Sequence, residues 1–166
     1  MPAGPLAVRF LAYELPPLRA GTAAAVRVEL ENAGTAPWRS LGAAAVRASY
    51  HWLDRYGNPL VWEGLRTPLP RPAAPRERIT IELAVLVPIP PGPYRLAVDL
   101  VDEGRFWFAE VGNRPLEVEV EVLPRLVRRA LAARIGEGPA DLAARTQAAL
   151  RAQEEPLVPD GEAVPA

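Results

Sequence analysis

The run Ala45–Trp62, A-V-R-A-S-Y-H-W-L-D-R-Y-G-N-P-L-V-W, decides the fold. Side chains alternate across a β-strand with period two, so Val46, Ala48, Tyr50 and Trp52 share one side. Arg47, Ser49 and His51 share the other. A polar turn at Tyr56-Gly57-Asn58-Pro59 then returns the chain into a short second strand, Leu60–Trp62. Two of the four tryptophans and the single histidine lie in this run. The strand is expected at the centre of a β-sandwich, aromatic side inward and polar side on an outer face.

The same alternation extends in both directions. Upstream, Leu6–Leu11 reads as an edge strand broken by Pro16-Pro17, since proline cannot donate to a ladder. Ala24–Glu31 places Val26, Val28 and Leu30 inward and Arg27, Glu29 and Glu31 outward. Asn32–Pro37 is turn chemistry, and Trp38 after it is expected to plug one end of the core. Downstream, Arg76–Val87 is the longest alternating segment, with Ile79, Ile81, Leu83, Val85 and Val87 inward. The rigid corner Pro88–Pro93 leads to Tyr94, Leu96, Val98 and Leu100, which alternate with Arg95, Ala97, Asp99 and Val101. A turn at Asp102–Arg105 runs into Phe106–Phe108, and Leu116–Val122 closes the series with Glu117, Glu119 and Glu121 outward. About seven strands with turn signals between them argue for a mainly β, two-sheet antiparallel sandwich.

The totals exclude several classes. The chain has 166 residues and a net charge of −1, which gives no basic field for nucleic acid. It has no cysteine, so disulfides and thiolate metal sites are ruled out. No apolar run reaches the roughly 18 residues needed to span a bilayer, so no transmembrane segment is expected. No secretory signal is visible at the start, which leaves the cytoplasm and the cell envelope both open. All 19 basic residues are arginine, beside 20 prolines, a composition that reads as codon bias in a GC-rich genome. Pro124 changes the texture. Leu126, Val127, Ala130 and Leu131 have helical spacing, and Leu142, Ala149 and Leu150 give a second apolar stripe. The expected organisation is a sandwich over 1–123, a helical extension over 124–153 and a disordered acidic, proline-rich tail over 154–166.

Certain segments carry a family resemblance: Glu31–Trp38 (E-N-A-G-T-A-P-W), Tyr50–Asp54 (Y-H-W-L-D), Gly64–Pro70 (G-L-R-T-P-L-P), Pro90–Gly104 and Trp107-Phe108. Together they resemble the immunoglobulin-like accessory domains found in bacterial proteins beside glycosyltransferase and other cell-envelope polysaccharide modules. The resemblance covers roughly Leu6–Leu123. Within it, Asn32–Trp38 also resembles the four-tryptophan interaction domains of autophagy receptors. The chain departs from the accessory pattern at Pro75-Arg76-Glu77, where arginine replaces glycine. An immunoglobulin-like sandwich is implied, with Trp52 as a buried strand tryptophan and Tyr94 as a tyrosine corner.

Chemistry candidates are few. His51 has no second histidine or cysteine to share a metal, and no G-x-S-x-G motif is present. Ser49, His51 and a carboxylate on a flat outer sheet would lie in bulk water without an oxyanion hole, so no enzyme is expected. No metal or cofactor is expected either. Arg47, His51, Arg95 and Asp99 form a candidate surface patch on the outer face. Asp54, Tyr56, Asn58, Trp62 and Trp107, all at or near turns, form a candidate ligand site, because sugar rings stack on exposed aromatic faces beside hydrogen-bonding side chains. The expected function is a non-catalytic accessory or binding module that recognises carbohydrate or supports a cell-envelope polysaccharide system. The alternative is a protein-interaction or assembly subunit using the sandwich surface and the C-terminal helices.

Overall fold

The computed structural model describes residues 4–126. Among them run nine strands: β1 (Val8–Glu14), β2 (Ala23–Asn32), β3 (Val46–Asp54), β4 (Pro59–Val61), β5 (Thr67–Pro68), β6 (Arg78–Leu86), β7 (Gly92–Asp102), β8 (Phe106–Trp107) and β9 (Leu116–Val122). A single 3-10 turn, Phe108–Val111, follows β8. The strands pair antiparallel throughout, in a three-stranded sheet β1-β2-β6 and a six-stranded sheet centred on β3 and β7. β4 and β5 border β3; β8 and β9 border β7. The protein is therefore mainly β. No helix among the described residues is long and apolar enough to cross a membrane. The helices expected between 124 and 153 and the tail expected over 154–166 lie outside the described residues, which end at Leu126.

Period-two burial organises the core. In β6, Ile79, Ile81, Leu83 and Val85 are buried and the residues between them exposed. Val26, Val28 and Leu30 of β2 join them in one cluster with Ala48, Tyr50 and Trp52 of β3 and Leu96, Val98 and Leu100 of β7. Both sheets thus contribute to a single apolar interior. Trp38 is fully buried and meets Phe108 edge-on at 5.9 Å between ring centroids, filling the place expected for it. On the opposite side of the small sheet, Glu31 of β2 is bracketed by Arg9 of β1 at 2.6 Å and Arg78 of β6 at 3.4 Å.

Two aromatic side chains tie the sheets together. The Leu86 N–H donates to the Tyr50 hydroxyl and the Trp52 indole N–H donates to the Leu86 carbonyl, each at 2.9 Å. Those backbone groups lie on the open edge of β6, which would otherwise invite another strand. The Ala84 N–H on the same edge donates to the Thr67 hydroxyl at 3.1 Å. Tyrosine and tryptophan suit this task because each buries a large apolar body while keeping a polar tip.

Strand boundaries move where local chemistry resets the pattern. β1 starts at Val8, two residues after the expected start, and runs on to Glu14, because a bulge between Phe10 and Ala12 inserts Leu11 and shifts the alternation. Beyond the bulge Tyr13, not Ala12, takes the inner side opposite Val28, and both Leu11 and Tyr13 stay exposed. The chain turns into β6 at Pro75-Arg76-Glu77. Arg76 adopts φ 70°, the only non-glycine residue with positive φ among those described. Its N–H donates to the Asn32 carbonyl at 2.8 Å, so the fold holds the left-handed conformation in place. That conformation costs a non-glycine residue about 1–2 kcal/mol, and glycine's looser unfolded state offsets about 0.4–1 kcal/mol of the relief. Arg76→Gly is therefore expected to raise stability by about 0.5–1 kcal/mol in urea unfolding; a loss of stability would contradict it.

Candidate functional site

The outward side of β3 was expected to be an open sheet surface. It is covered instead. His51 is 1% exposed, and Ser49 and Asp99 are fully buried. Asp99 and His51 therefore do not form a surface patch with Arg47 and Arg95. The cover comes from residues far along the chain, which alternation within β3 cannot report.

The covering segment follows β4. Gly64 donates its N–H to the Tyr50 carbonyl at 3.1 Å, which lays residues 62–66 along the edge of β3. A Cβ at position 64 would lie 2.4 Å from that carbonyl oxygen and 2.9 Å from the Tyr50 ring, so only glycine lets the chain pass. Trp62, before the glycine, folds over His51 with ring centroids 3.9 Å apart and planes 16° from parallel. Trp107 meets His51 at 4.4 Å and 60°, and Trp62 at 6.3 Å and 67°. Arg66, after the glycine, lays its guanidinium over the Trp107 ring at 4.7 Å.

Hydrogen bonding fixes this cluster. The His51 Nδ1 lies 2.5 Å from the Trp62 carbonyl oxygen. A carbonyl only accepts, so Nδ1 carries the proton. Nε2 faces Asp99 Oδ2 at 3.6 Å. Asp99 in turn accepts the N–H of Leu100 at 2.8 Å and that of Ala109 at 3.4 Å, which draws the 3-10 turn toward β7. Arg66 donates to Glu103 at 2.9 Å, to Glu63 at 2.5 Å, to the Gly64 carbonyl at 2.9 Å and to the Ser49 hydroxyl at 3.3 Å.

The remaining candidates separate into two groups. Asp54 and Asn58 build the β3–β4 turn. The Asp54 carboxylate accepts the N–H groups of Tyr56 at 2.8 Å and Asn58 at 2.9 Å, and the Asn58 side-chain amide at 2.8 Å. The Asn58 side chain first, then the backbone donors, hold the Asp54 carboxyl below the usual carboxylate range. Tyr56 is 73% exposed at the turn, with Arg55 over its ring at 4.8 Å. Trp107 is buried, Trp62 is 46% exposed and Arg47 is half-buried. Arg95 reaches 3.9 Å from Glu119 on β9. The structure thus brings His51, Trp62 and Trp107 together and keeps Tyr56, Asp54 and Asn58 in a separate turn.

Arg66 was not among the candidates, yet it closes the cluster. Its signal was the alternation Trp62-x-Gly64-x-Arg66, which sets an aromatic and a cation on one side of an extended segment with room for close backbone approach between them. Among the described residues, no group of three or more His, Asp or Glu side chains is placed to hold a metal ion. Comparison with known proteins finds no family model that matches the chain and no curated protein of significant sequence similarity.

The cover depends on Gly64. Gly64→Ala is expected to lift residues 62–66 from β3 and cost about 2–3 kcal/mol in chemical denaturation, with loss of near-UV dichroism from the Trp62–Trp107 pair. A change within about 0.5 kcal/mol would show that the segment is not held there.

Proposed function

We propose that the chain is a non-catalytic binding module of immunoglobulin-like fold that recognises carbohydrate through the exposed ring of Trp62. The fold reading rests on strand order. β1, β2 and β6 in one sheet against β3, β7 and β9 in the other follow the order of the A, B, E and C, F, G strands of immunoglobulin-like sandwiches. Trp52, buried on β3, occupies the place of the core tryptophan of strand C. The Tyr94 hydroxyl donates to the Pro90 carbonyl at 2.7 Å, as a tyrosine corner at the start of strand F does.

One observation carries the functional reading. Trp62 is held against buried His51 by one face while nearly half its surface stays in water. A ring so mounted presents its other face as a rigid platform. Pyranose rings stack their C–H faces on such a surface, while Glu63 at the rim offers a carboxylate to hydroxyl groups. Burial of Ser49, His51 and Asp99 beneath the cover supports a binding role over an acid–base one. The resemblance to accessory domains beside polysaccharide modules points to a cell-envelope glycan as the ligand.

Affinity electrophoresis of the full chain through gels containing neutral and acidic envelope polysaccharides tests this. At least one polysaccharide is expected to retard the wild type. Trp62→Ala, which uncovers one face of His51 and so lowers the melting temperature, is expected to stay folded at the assay temperature and to weaken that binding by about tenfold or more. Failure of every polysaccharide in a broad panel to retard the chain would overturn the reading.

A further inference from the structure

An open groove of about 410 Å³ lies on the same outer face, lined among others by Arg55, Tyr94, Arg95, Glu119 and Glu121. The register fixes its position relative to Trp62. His51 lies opposite Ala97 on β7, and Arg95 is two residues along from Ala97 on the same face. Diagonal neighbours of this kind are separated by about 7–8 Å. Between them lie Ala97 and Leu53, the latter opposite Arg95, both buried beneath the cover of this face. Arg95 in turn lies opposite Glu119 on β9. The groove thus begins about 7–8 Å along the sheet from His51, on which Trp62 is seated.

We infer that this groove is a second subsite, and that the ligand is an uncharged oligosaccharide chain spanning both. The inference rests on the carbohydrate reading of Trp62. Charge balance selects the ligand class. Arg55 and Arg95 in the groove are matched by Glu119 and Glu121. At the Trp62 rim, Arg66 is spent on Glu63 and Glu103. The face has no surplus of positive charge to hold a uronate or phosphate polymer, and its carboxylates would repel one. Guanidinium groups donate in pairs and carboxylates accept in pairs, which suits the neighbouring hydroxyls of a neutral sugar. Arg95 keeps donors for this purpose, because its approach to Glu119 at 3.9 Å is longer than a hydrogen bond.

Calorimetric titration of the full chain with oligosaccharide ladders tests the inference. The probes are the disaccharide, tetrasaccharide and hexasaccharide of a neutral glucan, a mannan and a galactan, with polygalacturonate fragments as the charged counterpart. For the ladder that binds, the tetrasaccharide is expected to bind about tenfold tighter than the disaccharide. Arg95→Ala is expected to remove that gain while leaving disaccharide affinity within about twofold; Trp62→Ala is expected to abolish both. Arg55→Ala, at an exposed turn position, gives an independent variant if Arg95→Ala lowers the melting temperature. Equal affinity for short and long oligosaccharides, or tighter binding of polygalacturonate, would overturn the second subsite and leave the platform standing. Absence of heat with every ladder would overturn the carbohydrate reading together with it.

Discussion

β3 is covered on both faces, and the rest of the structure follows from satisfying the polar groups it carries. On the inner side, Tyr50 and Trp52 bring a hydroxyl and an indole N–H into the core. Both are met by the backbone of Leu86, which joins the two sheets and seals the edge of β6 in the same stroke. On the outer side, Ser49 and His51 are closed from water. Arg66 meets the Ser49 hydroxyl and the Trp62 carbonyl meets His51 Nδ1, while His51 Nε2 faces Asp99 at 3.6 Å without a hydrogen bond. A buried donor or acceptor left without a partner costs about 1–3 kcal/mol. The segment 62–66 thus completes β3, and Gly64 is what allows it to come close enough.

This arrangement explains how a half-exposed tryptophan is held at the molecular surface. An exposed tryptophan on a loop loses side-chain freedom when a ligand stacks on it, and that loss weakens binding. Trp62 has already lost it, because His51 lies beneath one face and Trp107 meets its edge. Arg66 lies over the Trp107 ring and is itself held by Glu63 and Glu103. The chain of contacts runs from the buried Asp99 carboxylate outward to the open indole ring, with each member oriented by the one beneath it.

Much of the architecture was legible in the sequence. The period-two pattern in β2 and β6 named the buried apolar residues individually, though not the buried Glu31 and Asn32, and Tyr94 follows the proline corner at the place read for it. The Asp54–Asn58 turn was legible as a turn, but not that its side chains would saturate one another. The error at His51 has a simple physical origin. Alternation reports which side of a strand a residue takes, not whether that side is wet. Wetness depended on Trp62, Arg66 and Trp107, which only the strand order brings over β3. The bulge in β1 was hidden for a related reason, since an inserted residue leaves composition unchanged while shifting every face beyond it. At Arg76 the backbone is left-handed, a conformation that alternation of side chains does not report.

The central claim is that Trp62 is seated on His51, and the proton spectrum of His51 measures it directly. The chain has one histidine, so its imidazole C–H resonances need no assignment by mutation. A tryptophan ring at 3.9 Å and nearly parallel shields the protons beneath it. The His51 resonances are therefore expected well upfield of those of an unstructured histidine, and Trp62→Ala should return them a large part of the way. Imidazole signals at the unstructured position in the folded wild type, or signals that do not move in Trp62→Ala, would contradict the account.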